Sequence, residues 1–441
     1  MDDLLLDALT PVLSIPRLPA ALSALISRPP AARREDHDRR REQLSSHADA
    51  FRRSLGRNRP RYEDDEEREK LGGLRQCAWT CLDKGVVDGD EDDQRSELRI
   101  GKKGKRKRAG GDDYDDDDGG RAQLRGLAVS LVYEKDTFRF VIYTSAPRSD
   151  RSMKRKRTAA TRYQRTAAES REESAILLPK SSPAALKSFT DYLRDAFDVT
   201  AIYPLELPSS LMQSTLEQYL ETIRASLFEA AGGGSSSSSS AQALLQQNFS
   251  TIIGKIELTI AFSQPVSKGL KSMHAAIPAT AYLAWYKSPA EKTSSRGDNR
   301  RGQRKTAFLG SLAGWIRGMS GLCLPILNEK EPLIPESDND RDDSDNNDDD
   351  DNSLNTTDTP SNKDAQLGPM AMKISRISNE AYTISATSGL KFKSRAVHAF
   401  DDIISADPDR GEEGKENCVR RANQELLLAL IDYVRREAGQ G

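Results

Sequence analysis

Aromatic residues are scarce in this chain, 6% of 441, and cysteine and histidine are scarcer still, with four of each. With 30% charged residues and a mean hydropathy of −0.67, the chain has too little apolar material to pack as one ordinary globule. Part of it is therefore expected to stay unfolded. No run approaches the roughly 18 uninterrupted apolar residues of a membrane span, and Met1-Asp2-Asp3 is acidic where a secretory signal is basic. The chain reads as a soluble intracellular protein. Cys77 and Cys81 stand as C-x3-C, while Cys323 and Cys418 are remote. His37, His47, His274 and His398 form no H-x3-H or H-E-x-x-H grouping, so a structural zinc site is not expected. Glycine-rich nucleotide loops, a G-x-S-x-G elbow and the kinase motifs are all missing. Nearly all carboxylates fall in biased segments and not on elements that would position an acid–base pair. The expectation is a protein with no catalytic, cofactor or metal residues and no small-molecule substrate.

Charge is abundant and unevenly placed, although Lys+Arg 66 against Asp+Glu 68 leaves a net of only −2. The stretch 102–108 holds six cations, Lys102, Lys103, Lys105, Arg106, Lys107 and Arg108, and Asp112–Asp118 answers with six carboxylates. A second basic run contains Lys154, Arg155, Lys156 and Arg157, and a third contains Arg300, Arg301, Arg304 and Lys305. Residues 336–352 carry ten carboxylates and one arginine. Such blocks repel themselves and remain solvated, and Gly232–Ser240, GGGSSSSSS, has the composition of a flexible linker. The basic runs match nuclear import signals and also suit phosphate neutralisation on nucleic acid. Lys102–Arg108 is assigned to import, and the 154–157 and 300–305 clusters to DNA contact without base specificity.

About half the chain remains for folding. Pro11, Pro16, Pro19 and Pro29-Pro30 rule out one long helix over the first 30 residues, leaving short amphipathic turns suited to docking on a partner. The stretch Ala31–Lys70 is compatible with either a solvated helix or an unfolded chain. Leu127, Val129, Leu131 and Tyr133, then Phe138, Phe140 and Ile142, predict a hairpin. Ile176-Leu177-Leu178-Pro179 reads as a buried strand, followed by a helix with Ser182 as N-cap and Pro183 at its first position. Val199–Tyr203 looks strand-like, and Met212, Leu216, Tyr219, Ile223 and Leu227 recur at helical spacing. Ile252 to Phe262 alternate over eleven positions, the clearest strand pattern in the chain. A weaker strand (270–277), helices at 278–287 and from Phe308 to Gly321, a meander from 372 to 392 and a last helix through Leu426 and Leu430 follow. His274 is expected to be structural; Trp285-Tyr286 and Trp315 suit either core packing or base stacking.

This order predicts an α+β fold, with mixed or antiparallel sheets and packed helices, interrupted by long disordered insertions. The expected division is 1–120 with little defined structure, 121–231 as the first part of the core, 232–240 as linker, 241–335 as its central part, 336–366 as an acidic insertion, and 367–441 as terminal strands and helix.

The succession R-G-L-A-V-S-L at 125–131, V-I-Y-T at 141–144, A-I-L-L-P at 175–179, F-D-V-T at 197–200, Y-P-L-E-L-P at 203–208, I-E-L-T-I-A-F at 256–262, K-I-S-R-I-S at 373–378 and G-L-K-F-K at 389–393 resembles the centromere protein L family of inner-kinetochore subunits. The likeness lies in collinearity and covers roughly 121–438 outside the insertions; Thr10-Pro11-Val12-Leu13 is only a faint counterpart of the family's Thr/Ser-Pro-Leu-Tyr segment. The resemblance implies a non-enzymatic nuclear protein of the centromere and kinetochore. It implies a heterodimer with a centromere protein N-like subunit through C-terminal sheet edges, contact with other inner-kinetochore subunits, and a place on the centromeric nucleosome. The alternating Ile374, Ile377, Tyr382, Ile384, Leu390 and Phe392 are the expected partner interface. Centromere protein N itself and another nuclear adaptor or DNA-associated scaffold are the alternative readings.

Overall fold

The computed structural model describes residues 6–27, 34–57, 70–82, 123–145, 173–230, 239–262, 271–285, 307–321, 372–387, 389–405 and 417–440. Two antiparallel sheets organise them. The first has six strands, β1 (Leu13–Ile15), β2 (Leu74–Leu82), β3 (Leu124–Tyr133), β4 (Thr137–Ser145), β5 (Ala175–Lys180) and β6 (Tyr203–Pro204), in the order β2-β3-β4-β5-β1-β6. The second has five, β7 (Lys255–Phe262), β8 (Ser272–Pro278), β9 (Met372–Ser378), β10 (Tyr382–Ser385) and β11 (Gly389–Phe392), in the order β11-β10-β9-β7-β8.

The two sheets differ in how they are covered, and the sequence pattern follows from that. The central strands of the six-stranded sheet, β3 to β5, are buried on both faces. On one lie α1 (Ala20–Ile26), α2 (Arg34–Arg57) and α3 (Pro183–Phe197), packed on Leu127, Val129, Phe140, Ile142 and Leu177. On the other lies α9 (Cys418–Gln440), with α4 (Ser209–Ala230) packed against it, and both share a core with Ala128, Val141, Tyr143, Ile176 and Leu178. A strand with two buried faces reads as a nearly continuous apolar run, as at 175–178. On its β7 and β8 side the five-stranded sheet buries one face, so β7 alternates buried Ile256, Leu258 and Ile260 with more exposed Lys255, Glu257 and Thr259. Helices α5 (Ser239–Ile253), α6 (Ala279–Trp285), α7 (Ala307–Ser320) and α8 (Ser394–Ser405) complete the second layer.

Several local expectations hold. Ser182 Oγ accepts the Ala185 N–H at 3.3 Å and Pro183 opens α3, while Asp198 closes it in the left-handed region. The helix expected from Phe308 is α7, Ala307–Ser320, and Gly321 ends it with an N–H that donates to Arg317 O at 2.8 Å.

Other segments depart from the sequence reading. The alternation at 252–262 joins two elements: α5 runs to Ile253, Gly254 turns the chain at φ 63, and the strand starts only at Lys255. A side chain at 254 would stand 2.4 Å from Glu380 Cγ, so glycine is required twice over there. Val199–Tyr203 forms a strand only in its last residue, where β6 begins. The first 120 residues, expected to hold little structure, supply β1, α1, α2 and β2. Leu22 and Ile26 of α1 and Phe51 of α2 are fully buried against this chain's own first sheet, so α1 docks internally. Arg40 fixes the α1 terminus by donating to the carbonyls of Leu25 and Ile26 (2.6–2.9 Å), a cation at the negative end of the helix. Helix α8 adds to the elements expected from the sequence; Ala396, Val397 and Phe400 bury its short apolar face.

Candidate protein interface

A one-sided antiparallel sheet exposes two kinds of surface, its outer face and the main chain of its two edges. On the five-stranded sheet these differ sharply from each other. The outer face carries Lys373 and Arg376 on β9 and Lys391 on β11, none with an acidic partner among the described residues, beside a Lys255–Glu257 pair at 3.1 Å. Small polar residues, Thr259, Ser378 and Thr383, lie between them, and His274 Nδ1 meets Thr259 Oγ1 at 3.1 Å.

The edge at β11 is covered. Residues 6–10 lie along it, with Asp7 N–H donating to Phe392 O (2.7 Å), Thr10 N–H to Leu390 O (2.9 Å) and Leu390 N–H to Thr10 O (2.9 Å). The edge at β8 is open among the described residues. Phe262 N–H to Lys271 O (3.1 Å) and Ala279 N–H to Gly254 O (2.9 Å) bracket its pairing with β7. Antiparallel pairs alternate between bonded and unbonded partners, so Met273, Ala275 and Ile277 bond inward while Ser272, His274 and Ala276 turn N–H and C=O outward. Pro278, which has no N–H to offer, falls on the same outward parity, where an edge strand tolerates proline. The first sheet's long edge, β2, is a poorer template, because its register slips between Leu74 and Gln76 and both Arg75 and Gln76 are exposed.

The six residues expected at a partner interface have a different placement. Ile374, Ile377, Tyr382, Ile384, Leu390 and Phe392 are all 0–2% exposed and sit in the core shared with α4, α5 and α9. Their alternation marks the sheet's inner face, so these side chains are packed in the core and not displayed on the surface. Lys102, Lys103, Lys105, Arg106, Lys107, Arg108, Lys154, Arg155, Lys156, Arg157, Arg300, Arg301, Arg304 and Lys305 lie outside the described residues. So do Cys323 and Tyr286. The outward amides of β8 had one sequence signal, the proline ending an alternating strand. The N-terminal cover on β11 had none, since its contacts span 380 residues or more.

The remaining sequence candidates resolve into packing. Cys77 and Cys81 sit on a strand, not a helix, and burial pushes the Cys77 thiol up to about 11. Among the described residues no group of three His, Cys, Asp or Glu side chains is placed to hold a metal. Trp285 packs against Phe308 (6.0 Å between centroids) and the partly exposed Trp315 (6.4 Å). A shallow groove of about 430 Å³ between α5 and α6 is lined by Ala243, Gln246, Gln247, Ser250, Thr251 and Thr280, with no charged group. His47 lies among Trp79, Tyr192 and Phe197, its Nδ1 3.0 Å from the Tyr192 hydroxyl, and desolvation lowers its pKa. The unfolded chain takes up this proton near the ordinary value of about 6.5, whereas the folded chain does so only at lower pH. Acid therefore favours unfolding: stability is expected to fall as pH drops below about 6.5, and His47→Gln should remove that part of the slope in urea titrations from pH 7 to 5.

No helix among the described residues is long and apolar enough to cross a membrane. Two antiparallel sheets held by helices, one of them with an open edge among the described residues, define an α+β protein. The family model for centromere protein L matches residues 33–435, and the chain belongs to that family of structural kinetochore proteins. No curated protein matches it. Family membership makes this a centromere and kinetochore protein, and implies the nucleus as its location.

Proposed function

We propose that this chain is a non-enzymatic inner-kinetochore subunit that pairs with a centromere protein N-like chain by strand addition at β8 and helps assemble the centromere network on centromeric nucleosomes. The observation that carries this reading is the β8 edge, which turns the main chain of Ser272, His274 and Ala276 away from β7 with no backbone partner among the described residues. Strand addition draws affinity from main-chain hydrogen bonds and specificity from flanking side chains. The buried Ile374, Ile377, Tyr382, Ile384, Leu390 and Phe392 contribute by keeping the sheet packed on its helices. In the same reading, the 154–157 and 300–305 clusters neutralise DNA phosphates, joined by Lys373, Arg376 and Lys391 of the outer face, and Lys102–Arg108 serves nuclear import. Tagged full-length chain recovered from nuclei and analysed by mass spectrometry should be dominated by centromere-network subunits, with the centromere protein N-like chain near equal abundance. Recovery of other chromatin adaptors in their place would remove this reading.

A further inference from the structure

The cover on the second edge, β11, is held at its far end by a side-chain clasp. Residues 6–10 are held there by three backbone hydrogen bonds, by Thr10 Oγ1 donating to Leu390 O at 3.0 Å, and by packing of the partly buried Leu6. Close seating requires Gly389, at φ 113, where a Cβ would fall 2.1 Å from Thr10 O. At the far end one side-chain clasp closes the strap: the Asp7 carboxylate accepts from Ser394 Oγ and, at 3.4 Å, from Ser394 N–H at the first turn of α8. Asp7 holds a left-handed backbone, φ 59, to reach it. Ser394 is only half-buried and lies in the run Lys391-Phe392-Lys393-Ser394-Arg395, with Arg395 largely exposed.

We propose that Ser394 is a phosphorylation site for a kinase that reads basic flanks, and that its modification unfastens residues 6–10 and bares the β11 edge. In the transfer, Ser394 Oγ bonds to the γ-phosphorus of ATP as the bridging Pγ–O bond breaks. ADP departs and the hydroxyl proton passes to the kinase's base. The hydroxyl that donated to Asp7 is thereby replaced by a group of charge about −1.5 to −2, which faces a carboxylate at hydrogen-bond range. The helix terminus itself gains from the new anion, so the repulsion falls on the strap and leaves α8 intact. The inference needs only this chain and goes beyond the pairing reading, since β8 lies at the opposite end of the sheet.

The test uses the full chain with protein kinase C and ATP as the probe, phosphosite mapping, and amide hydrogen exchange. Phosphate should map to Ser394. Both the phosphorylated chain and Ser394→Asp should exchange at least tenfold faster at residues 6–10 and at the Leu390 amide, while 375–385 keeps its protection. Asp7→Asn combined with Ser394→Asp removes the repulsion and should restore slow exchange. An unmodified Ser394, wild-type exchange in Ser394→Asp, acceleration of the whole sheet together, or a double variant that stays open would each overturn the proposal.

Discussion

Truncating Tyr382 to alanine is expected to cost about 3–5 kcal/mol of unfolding free energy, the range for removing a large buried aromatic ring. Tyr382 is fully buried on β10, its ring 4.5 Å from that of Tyr219 on α4, where the five-stranded sheet meets the helices. The two tyrosines are alike in burial, which raises both phenol pKa values, and unlike in bonding. Tyr219 donates to Asn423 Oδ1 on α9 at 2.9 Å, whereas the Tyr382 hydroxyl is buried with no hydrogen-bond partner among the described residues. Losing one side of a buried hydrogen bond costs about 1–3 kcal/mol, while removing an unsatisfied polar group is neutral or favourable. Tyr219→Phe should therefore lower stability by about 1–2 kcal/mol. Tyr382→Phe should leave it unchanged or raise it. Urea denaturation of the three variants reads the contrast; equal losses in both phenylalanine variants would mean that the Tyr382 hydroxyl is satisfied in solution.

What the sequence revealed of this architecture depended on how local each determinant is. The β3–β4 hairpin, the Ser182-Pro183 start of α3 and the Gly321 stop of α7 are settled within a few residues, and all were legible. At 252–262 a period of two ran across a helix end and a strand start, because Ile252 and Ile253 face the same core as Ile256 and Leu258 from a different element. Burial there is shared, and periodicity cannot tell which backbone presents it. Helix α2 hid for another reason: Leu44, Ala48, Phe51 and Leu55 form a narrow apolar stripe on a helix otherwise rich in Arg, Asp and Glu, so composition outweighed pattern. The candidate interface was legible only in part. Alternation located the sheet at 372–392 but could not say that α4 returns to cover its inner face, a contact that only the folded chain creates. The strap depends on residues 6–10 meeting 390–394, which no local pattern encodes.

Proline at position 276 should abolish partner pairing while sparing the fold, and proline one residue earlier should do the reverse of sparing it. Ala276 is exposed, and by the register of β8 on β7 its N–H points away from the sheet, so Ala276→Pro removes no internal hydrogen bond. The preceding residue is already extended, the conformation that proline requires of its neighbour. Pro278 shows that this edge accommodates the ring at the next outward position. For an added strand the change is severe: it deletes a central main-chain donor and sets a ring where the partner backbone would approach. Affinity for a centromere protein N-like partner is expected to fall at least tenfold, equivalent to about 1.4 kcal/mol or more. The melting temperature should move by no more than about 2 °C, since surface changes of this kind stay near ±0.5 kcal/mol. Ala275 faces inward and is buried, and its N–H belongs to the β7 ladder, so Ala275→Pro should destabilise the chain by about 3 kcal/mol. Titration calorimetry with the purified partner, alongside thermal melts of both variants, separates edge from fold. A wild-type affinity in Ala276→Pro would move the interface off β8, and the β11 edge beneath residues 6–10 would then be the remaining edge of this sheet.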